Sequence, residues 1–264
     1  MIEVAIIGGS GVYDPEMLEN IRQETVTTPY GEVNLQVGTF HGREIAFLAR
    51  HGNKHTIPPH QINYRANIYA LKKIGVKKII STTAVGSLNP AMNLGDFVLP
   101  NQFLDFTNGR VCTFFEGDRG VAHVAVSNAY CPALRSQIAD LGKKLGIHVV
   151  NGGTYVCTNG PRYETPAEIK MFSILGGDLV GMTNVPEVTL AQEAEMCYAT
   201  ISMVTNMAAG ITDVPPCHQE VMDAMEANKT NFRKLIMGIL EEIDMSQDKC
   251  ECNQTLAYFG GFKL

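Results

Sequence analysis

The chain has 264 residues, 45% of them hydrophobic, and a formal charge of −6, so it can bury one sizeable core but has no basic excess with which to neutralise a nucleic-acid strand. A small anion stays within reach, since it needs only one local cationic pocket. No run approaches the 18 apolar residues of a membrane span, MIEVAIIGGSG lacks the basic region and length of a signal peptide, and seven dispersed cysteines suit reduced thiols, which together point to a cytoplasmic protein with neither membrane nor nucleic-acid partners.

Glu3 to Ile7 form a short apolar run that stops at Gly8-Gly9-Ser10-Gly11, the pattern of a buried strand entering a tight turn. VNLQVGTF and REIAFLAR flank His41-Gly42 as a hairpin. Apolar residues at helical spacing (Ile62, Ala66, Tyr69, Ala70, Ile74) predict a helix from Gln61 to Ile74, with Gly75 at its C-terminal cap. KKIISTTAV then reads as a buried strand ending in Gly86-Ser87. Next come a helix from Pro132 to Leu145, a strand near His148 to Cys157, a helix from Pro166 to Leu175 and a strand from Asp178 to Met182. A helix around Glu187 to Met196, a strand from Ala199 to Thr205 and a long helix from about His218 to Ile243 complete the series.

Strands alternating with helices imply an α/β sheet covered on both faces. With no linker and no repeat, the simplest organisation is one domain spanning 1–264, with an unassigned tail from about residue 245. Thr165 and Glu168 bracket Pro166 as a capping box, which accounts for both and leaves the carboxylate of Glu164, in GPRYETPAE, without a structural role.

Ligands of α/β sheets bind beyond the carboxyl ends of strands. Five segments fall there: GGSG, ARHG, TTAVGS, GMTNVPE and VTNMAAG. GGSG lacks the third glycine of a dinucleotide fingerprint and the lysine of a triphosphate loop. It is either a small-anion nest of Gly9 to Gly11 amides with the Ser10 hydroxyl, or a plain glycine turn. Arg50 offers a fork of donors that matches two phosphate oxygens, and Thr82, Thr83 and their amides could complete a tetrahedral shell. His55 and His60 read as loop residues rather than catalysts. The Cys250-x-Cys252 pair lacks two further ligands at sensible spacing, so no metal is expected.

In order and spacing, GGSGVYDPE, ARHGNKHTIPPHQINYRANI, TTAVGSLNP, GPRYET, GMTNVPEVTLAQEAEMCYA and VTNMAAG resemble the trimeric nucleoside phosphorylases, over about Met1 to Leu240. That family joins 6-oxopurine nucleoside phosphorylases with methylthioadenosine phosphorylases. The resemblance implies a single α/β domain with a mixed, partly barrel-like sheet, a homotrimer, and reversible phosphorolysis of a purine nucleoside with inorganic phosphate as co-substrate and no further cofactor. By motif it implies a phosphate site of Ser10, Arg50, His51, Thr83, the Ala84 amide and Thr183. Tyr163 would lie against the purine, where the family usually has phenylalanine, and Met182 against the sugar. His123 matches a histidine that reaches the sugar's 5′ end from the neighbouring subunit. Some family members pair cysteines near their C-termini, so Cys250 and Cys252 could join each other or another such as Cys197, or remain two thiols.

Hydrogen-bond polarity separates the branches. A 6-oxopurine presents N1–H as donor and O6 as acceptor, and adenine reverses both, so an oxopurine site wants a carboxylate facing N1–H and an amide donating to N7 or O6. Glu164 and Asn206 supply that pair, Asn206 also being the expected catalytic residue, whereas the adenine branch resembled here generally has serine and aspartate at these positions. His218, in His-Gln-Glu-Val, fits the oxopurine branch and could bond a 5′-hydroxyl. ARHGNKHTIPPHQINYRANI looks more like the methylthioadenosine branch. The expected activity is therefore 6-oxopurine nucleoside phosphorolysis in purine salvage, with a methylthioinosine or methylthioadenosine phosphorylase as the alternative and a non-catalytic purine binder as a further one.

Overall fold

The computed structural model describes residues 2–8, 18–52, 54–117, 120–246, 249–257 and 264, so the expectations on Gly9 to Gly11 and Ser10 lie outside the described residues. In chain order the strands are β1 (Val4–Gly8), β2 (Glu19–Thr28), β3 (Gly31–Phe40), β4 (Arg43–Ala49), β5 (Lys78–Ser87), β6 (Phe97–Leu99), β7 (Gln102–Phe106), β8 (Val149–Asn151), β9 (Thr154–Thr158), β10 (Leu179–Gly181) and β11 (Cys197–Met207). The helices are α1 (Tyr64–Lys73), α2 (Pro132–Leu145), α3 (Pro166–Ile174), α4 (Asn184–Glu193) and α5 (His218–Glu242). The fold is the expected mixed α/β domain.

Local signals explain most of these boundaries. His41 and Gly42 have φ of 46° and 80°, the left-handed pair that a two-residue hairpin needs, and β3 meets β4 from Phe40↔Arg43 onward. Thr165 and Glu168 form the predicted capping box on α3. Cys131 caps α2 by accepting the Leu134 N–H, and Gly146 closes that helix with φ 68°.

Other boundaries differ from the sequence reading. The strand expected over His148 to Cys157 is two strands parted by Gly152 and Gly153, at φ 144° and 125°; β8 pairs with β6, and β9 pairs with β7 and β10. The helix expected from Glu187 is assigned from Asn184, although Val185 is still extended (φ −112°, ψ 128°). β2, β6 and β7 were not foreseen. β2 is a largely exposed edge strand with little alternation, and β6 spans three residues, too short for a periodic signal.

β5 is the axis of the sheet. It pairs in parallel with β11 along its length, in parallel with β1 over its first half, and with antiparallel β10 at Gly86 and Ser87. Because β10 runs against β5 from Leu179↔Ser87 to Val180↔Gly86, the chain that follows it heads back toward Thr83. Buried residues of α1 and α4 (Ile68, Leu71, Val188, Leu190) cover one face, and those of α2 and α5 (Leu134, Ile138, Leu235, Ile239) cover the other. Each such side chain contributes about 1.5–3 kcal/mol by leaving water. Beyond α5 the tail packs back on the domain: Cys252 and Leu256 are buried, and the Thr255 hydroxyl donates to the Gln192 carbonyl at 2.6 Å. Among the described residues no helix is long and apolar enough to cross a membrane.

Candidate active site

A cavity of about 500 Å³ opens where the carboxyl ends of β4, β5, β10 and β11 converge, a size suited to a small ligand. Its lining gathers Arg50, His51, Thr83, Ala84, Tyr163, Glu164, Met182, Thr183, Asn206 and His218. Of the residues expected from the sequence, Ser10 lies outside the described residues, and His123 is exposed and does not line the cavity.

Arg50 is 2% exposed, not solvated, and its donors face a different partner from the one expected. Nε and Nη2 donate to the two Glu187 carboxylate oxygens at 2.7 and 2.8 Å, Nη2 also donates to Ser81 Oγ at 2.6 Å, and Nη1 donates to the Thr82 carbonyl at 3.1 Å. Burial works against the guanidinium charge, but the Glu187 carboxylate outweighs it and holds the pKa above its ordinary value. Four of the five N–H donors are thus engaged within the described residues. The fork expected to grip an anion is closed on a carboxylate, and one Nη1 hydrogen remains. The hydroxyl of Tyr198 donates to Glu187 at 2.7 Å, and Asn184 Oδ1 accepts from Thr200 at 2.9 Å, so the pair is embedded in a polar web inside the sheet.

Around this web stand neutral donors. Thr83 is buried with its hydroxyl 3.0 Å from that of Ser202. Thr183 is buried at the N-cap of α4, yet its hydroxyl does not cap the helix. A helix N-terminus brings unsatisfied N–H groups and the positive end of the helix dipole toward the cavity. His51 Nδ1 lies 2.8 Å from the Ile57 carbonyl, so Nδ1 is the protonated nitrogen of this contact. Burial drives the His51 pKa down to about 4, which leaves a neutral ring whose Nε2 can accept but not donate.

The other end of the cavity is built differently. Tyr163 is 37% exposed and Glu164 half-buried, both on the loop between β9 and α3 that the capping box anchors. Thr158 Oγ1 donates to Glu164 at 2.7 Å. Burial raises the Glu164 pKa, against that hydrogen bond. Asn206 is 4% exposed and follows a bulge, since β11 pairs Val204↔Val85 and then Asn206↔Gly86, leaving Thr205 unpaired. Such a bulge re-aims the next side chain. Asn206 Oδ1 accepts from Thr205, and one amide hydrogen goes to the Met207 carbonyl at 3.0 Å, so the second is available to the cavity. Gly86 makes room for this amide: a Cβ there would sit 3.2 Å from Asn206 Nδ2.

Several contributors escaped the sequence reading. His55 lines the cavity with its ring centroid 4.4 Å from that of His51 and tilted 40° to it, where a loop role was expected. Glu187 lay within a quoted segment, but nothing in the sequence says which cation it holds. Arg110 donates to the carbonyls of Thr158 (3.3 Å), Asn159 (3.1 Å), Met182 (2.8 Å) and Val185, tying the ends of β9 and β10 together beside the cavity. An arginine in an irregular loop carries no local signal for such a task.

A family model described as the phosphorylase superfamily matches residues 3–241. A probable 6-oxopurine nucleoside phosphorylase from Moorella thermoacetica is 55% identical over 253 residues, covering 96% of this chain and 97% of its own. A 6-oxopurine nucleoside phosphorylase from Pyrococcus furiosus is 50% identical over 262 residues, covering 97% and 98%. Among solved structures, the methylthioadenosine phosphorylase of Schistosoma mansoni in complex with adenine superposes with a TM-score of 0.91 at 32% identity, covering 98% of each chain.

Proposed function

Because the chain belongs to the phosphorylase superfamily, we propose that it catalyses the reversible, phosphate-dependent cleavage of 6-oxopurine nucleosides such as inosine and guanosine, giving the free base and ribose 1-phosphate. The observation that carries this reading is the joint presence of Glu164 and Asn206 in one cavity. A carboxylate and an amide N–H match the N1–H donor and the O6 and N7 acceptors of an oxopurine. Adenine, which accepts at N1 and donates at its 6-amino group, would meet a carboxylate at the wrong atom.

In this reading phosphate binds against the Arg50 web. The Thr83 and Thr183 hydroxyls, the Ala84 amide, the remaining Arg50 hydrogen and Ser10 donate to it. Neutral His51 accepts a hydrogen bond from the P–O–H group of monohydrogen phosphate through Nε2. The purine lies along Tyr163, and the ribose lies over Met182 with its 5′-hydroxyl toward His218. As the glycosidic bond lengthens, C1′ takes on oxocarbenium character and the purine gathers negative charge. Phosphate oxygen then faces the developing cation, and the spare Asn206 hydrogen meets the charge at N7 and O6. One preorganised donor of this kind is worth about 3–4 kcal/mol in the barrier. The bond from C1′ to nitrogen breaks, a bond from C1′ to phosphate oxygen forms, and the proton that monohydrogen phosphate carried ends, by way of solvent, on the departing base. The exposed position of His123 suits the homotrimer reading, in which it reaches the 5′ end of a neighbouring site. Purine salvage in the cytoplasm is the setting that fits these substrates.

The test is release of hypoxanthine from inosine with and without phosphate. Release that needs phosphate supports phosphorolysis; release without it makes the protein a hydrolase, and no release leaves a binder. A second reading has an observation in its favour. Ile57 and Val221 line the same cavity as His218 and offer apolar surface suited to a thioether, so methylthioinosine belongs in the substrate panel beside inosine, guanosine, adenosine and methylthioadenosine.

A further inference from the structure

Four cysteines from three parts of the chain meet at the end of β11 remote from the cavity. Cys131 caps α2, Cys197 opens β11, and Cys250 and Cys252 belong to the segment beyond α5. Their four Sγ atoms all lie within 4.8 Å of one another, with those of Cys197 and Cys250 3.5 Å apart. Cys131, Cys197 and Cys252 are buried, and Cys250 is partly so. The sequence alone offered a Cys-x-Cys pair and no further ligands; folding supplies the two that were missing.

We propose that Cys131, Cys197, Cys250 and Cys252 bind one zinc-class thiophilic divalent cation as a closed tetrathiolate site. Zinc–sulfur bonds of about 2.3 Å place tetrahedral sulfurs about 3.8 Å apart, so the observed cluster needs shifts of about an ångström or less. The Leu134 N–H donates to Cys131 Sγ at 3.4 Å, the kind of hydrogen bond that orients a ligating thiolate. The N-terminus of α2, with Arg135 one turn along, brings positive charge toward four thiolates whose charge exceeds that of a divalent ion. On binding, each thiol gives up its proton to solvent and forms one metal–sulfur bond, with no change of oxidation state. Four protein ligands leave no open position, and the strand from Cys197 to Asn206 spans about 30 Å at the usual rise. The site is therefore structural: it fastens the tail, whose Cys252 and Leu256 are buried, to α2 and β11.

The same thiols could instead be oxidised to disulfides, and the experiment separates the two fates. Untagged full-length protein is prepared under reducing conditions from zinc-supplemented cells, dialysed, and measured for metal by mass spectrometry, with a thiol count in denaturant before and after chelation. The expected result is one zinc per chain that survives dialysis, all seven cysteines recovered as thiols, and a sulfur-to-metal charge-transfer band when cobalt(II) replaces zinc. Cys252→Ser should lose the metal and lower Tm, while Cys112→Ser, at an exposed cysteine, should keep both. Sub-stoichiometric metal after dialysis against zinc, or two disulfides linking the four cysteines, overturns the proposal. The metal content of the unmodified chain decides the matter even where a cysteine variant fails to fold.

Discussion

The two ends of the cavity are built on opposite terms. At one, Arg50 is sealed among packed strands and spends its donors on Glu187, Ser81 and Thr82. At the other, Tyr163 and Glu164 sit on a half-exposed loop held by a capping box and one threonine hydroxyl. The first end is fixed by the core and suits a reactant common to every substrate. The second depends on a few short-range bonds, so it is where substrate choice can change without disturbing the sheet. Asn206 belongs to both, a strand residue that follows the bulge at Thr205 and lines the cavity.

Substitutions can break this division. Glu187→Ala should have the largest effect, since removing one partner of a buried ion pair costs about 3–5 kcal/mol. Urea unfolding should show the loss, and phosphate KM should rise while the inosine-to-adenosine preference holds; a changed preference would mean that the two ends are not separable. Asn206→Asp should lower inosine kcat on the order of 100-fold, from loss of a donor worth about 3 kcal/mol, and shift preference toward 6-aminopurines. Unchanged inosine kinetics would remove Asn206 from the mechanism. Thr158→Val deletes the bond that holds Glu164 and should raise inosine KM about tenfold, the low end of the about 1.5–3 kcal/mol expected for a hydrogen bond to a charged group, with phosphate KM unmoved.

The smallest effect concerns pH. His51 titrates near 4 when folded, below the ordinary histidine value of 6.5, so between these values the unfolded chain binds more protons. Its contribution to stability is complete above pH 6.5 and is lost as pH falls toward 4. Urea midpoints between pH 7 and 5 should therefore fall less steeply in His51→Gln than in the parent, and equal slopes would contradict the half-buried neutral ring.

Much of this was legible in the sequence because it rests on local chemistry. The hairpin at His41-Gly42, the capping box on α3 and the strand-end segments are read from neighbouring residues, and ten of the twelve expected site residues line one cavity. What escaped depends on contacts across the fold. The Arg50–Glu187 pair spans 137 positions, Arg110 serves carbonyls from three other segments, and the cysteine cluster joins residues 131, 197, 250 and 252. No spacing rule reaches that far. The short strands β6 and β7 were missed for the same reason, since pairing with distant partners, not periodicity, defines them.

The base end is tested most directly by one ratio: phosphate-dependent kcat/KM for inosine over that for adenosine, in the parent and in Glu164→Ala. The expected result is a parent that strongly prefers inosine and a variant in which the preference collapses, because the carboxylate that accepts N1–H is gone. A parent that prefers adenosine, or a Glu164→Ala variant that discriminates as well as the parent, would contradict the assignment of Glu164 as the residue that selects the 6-oxopurine.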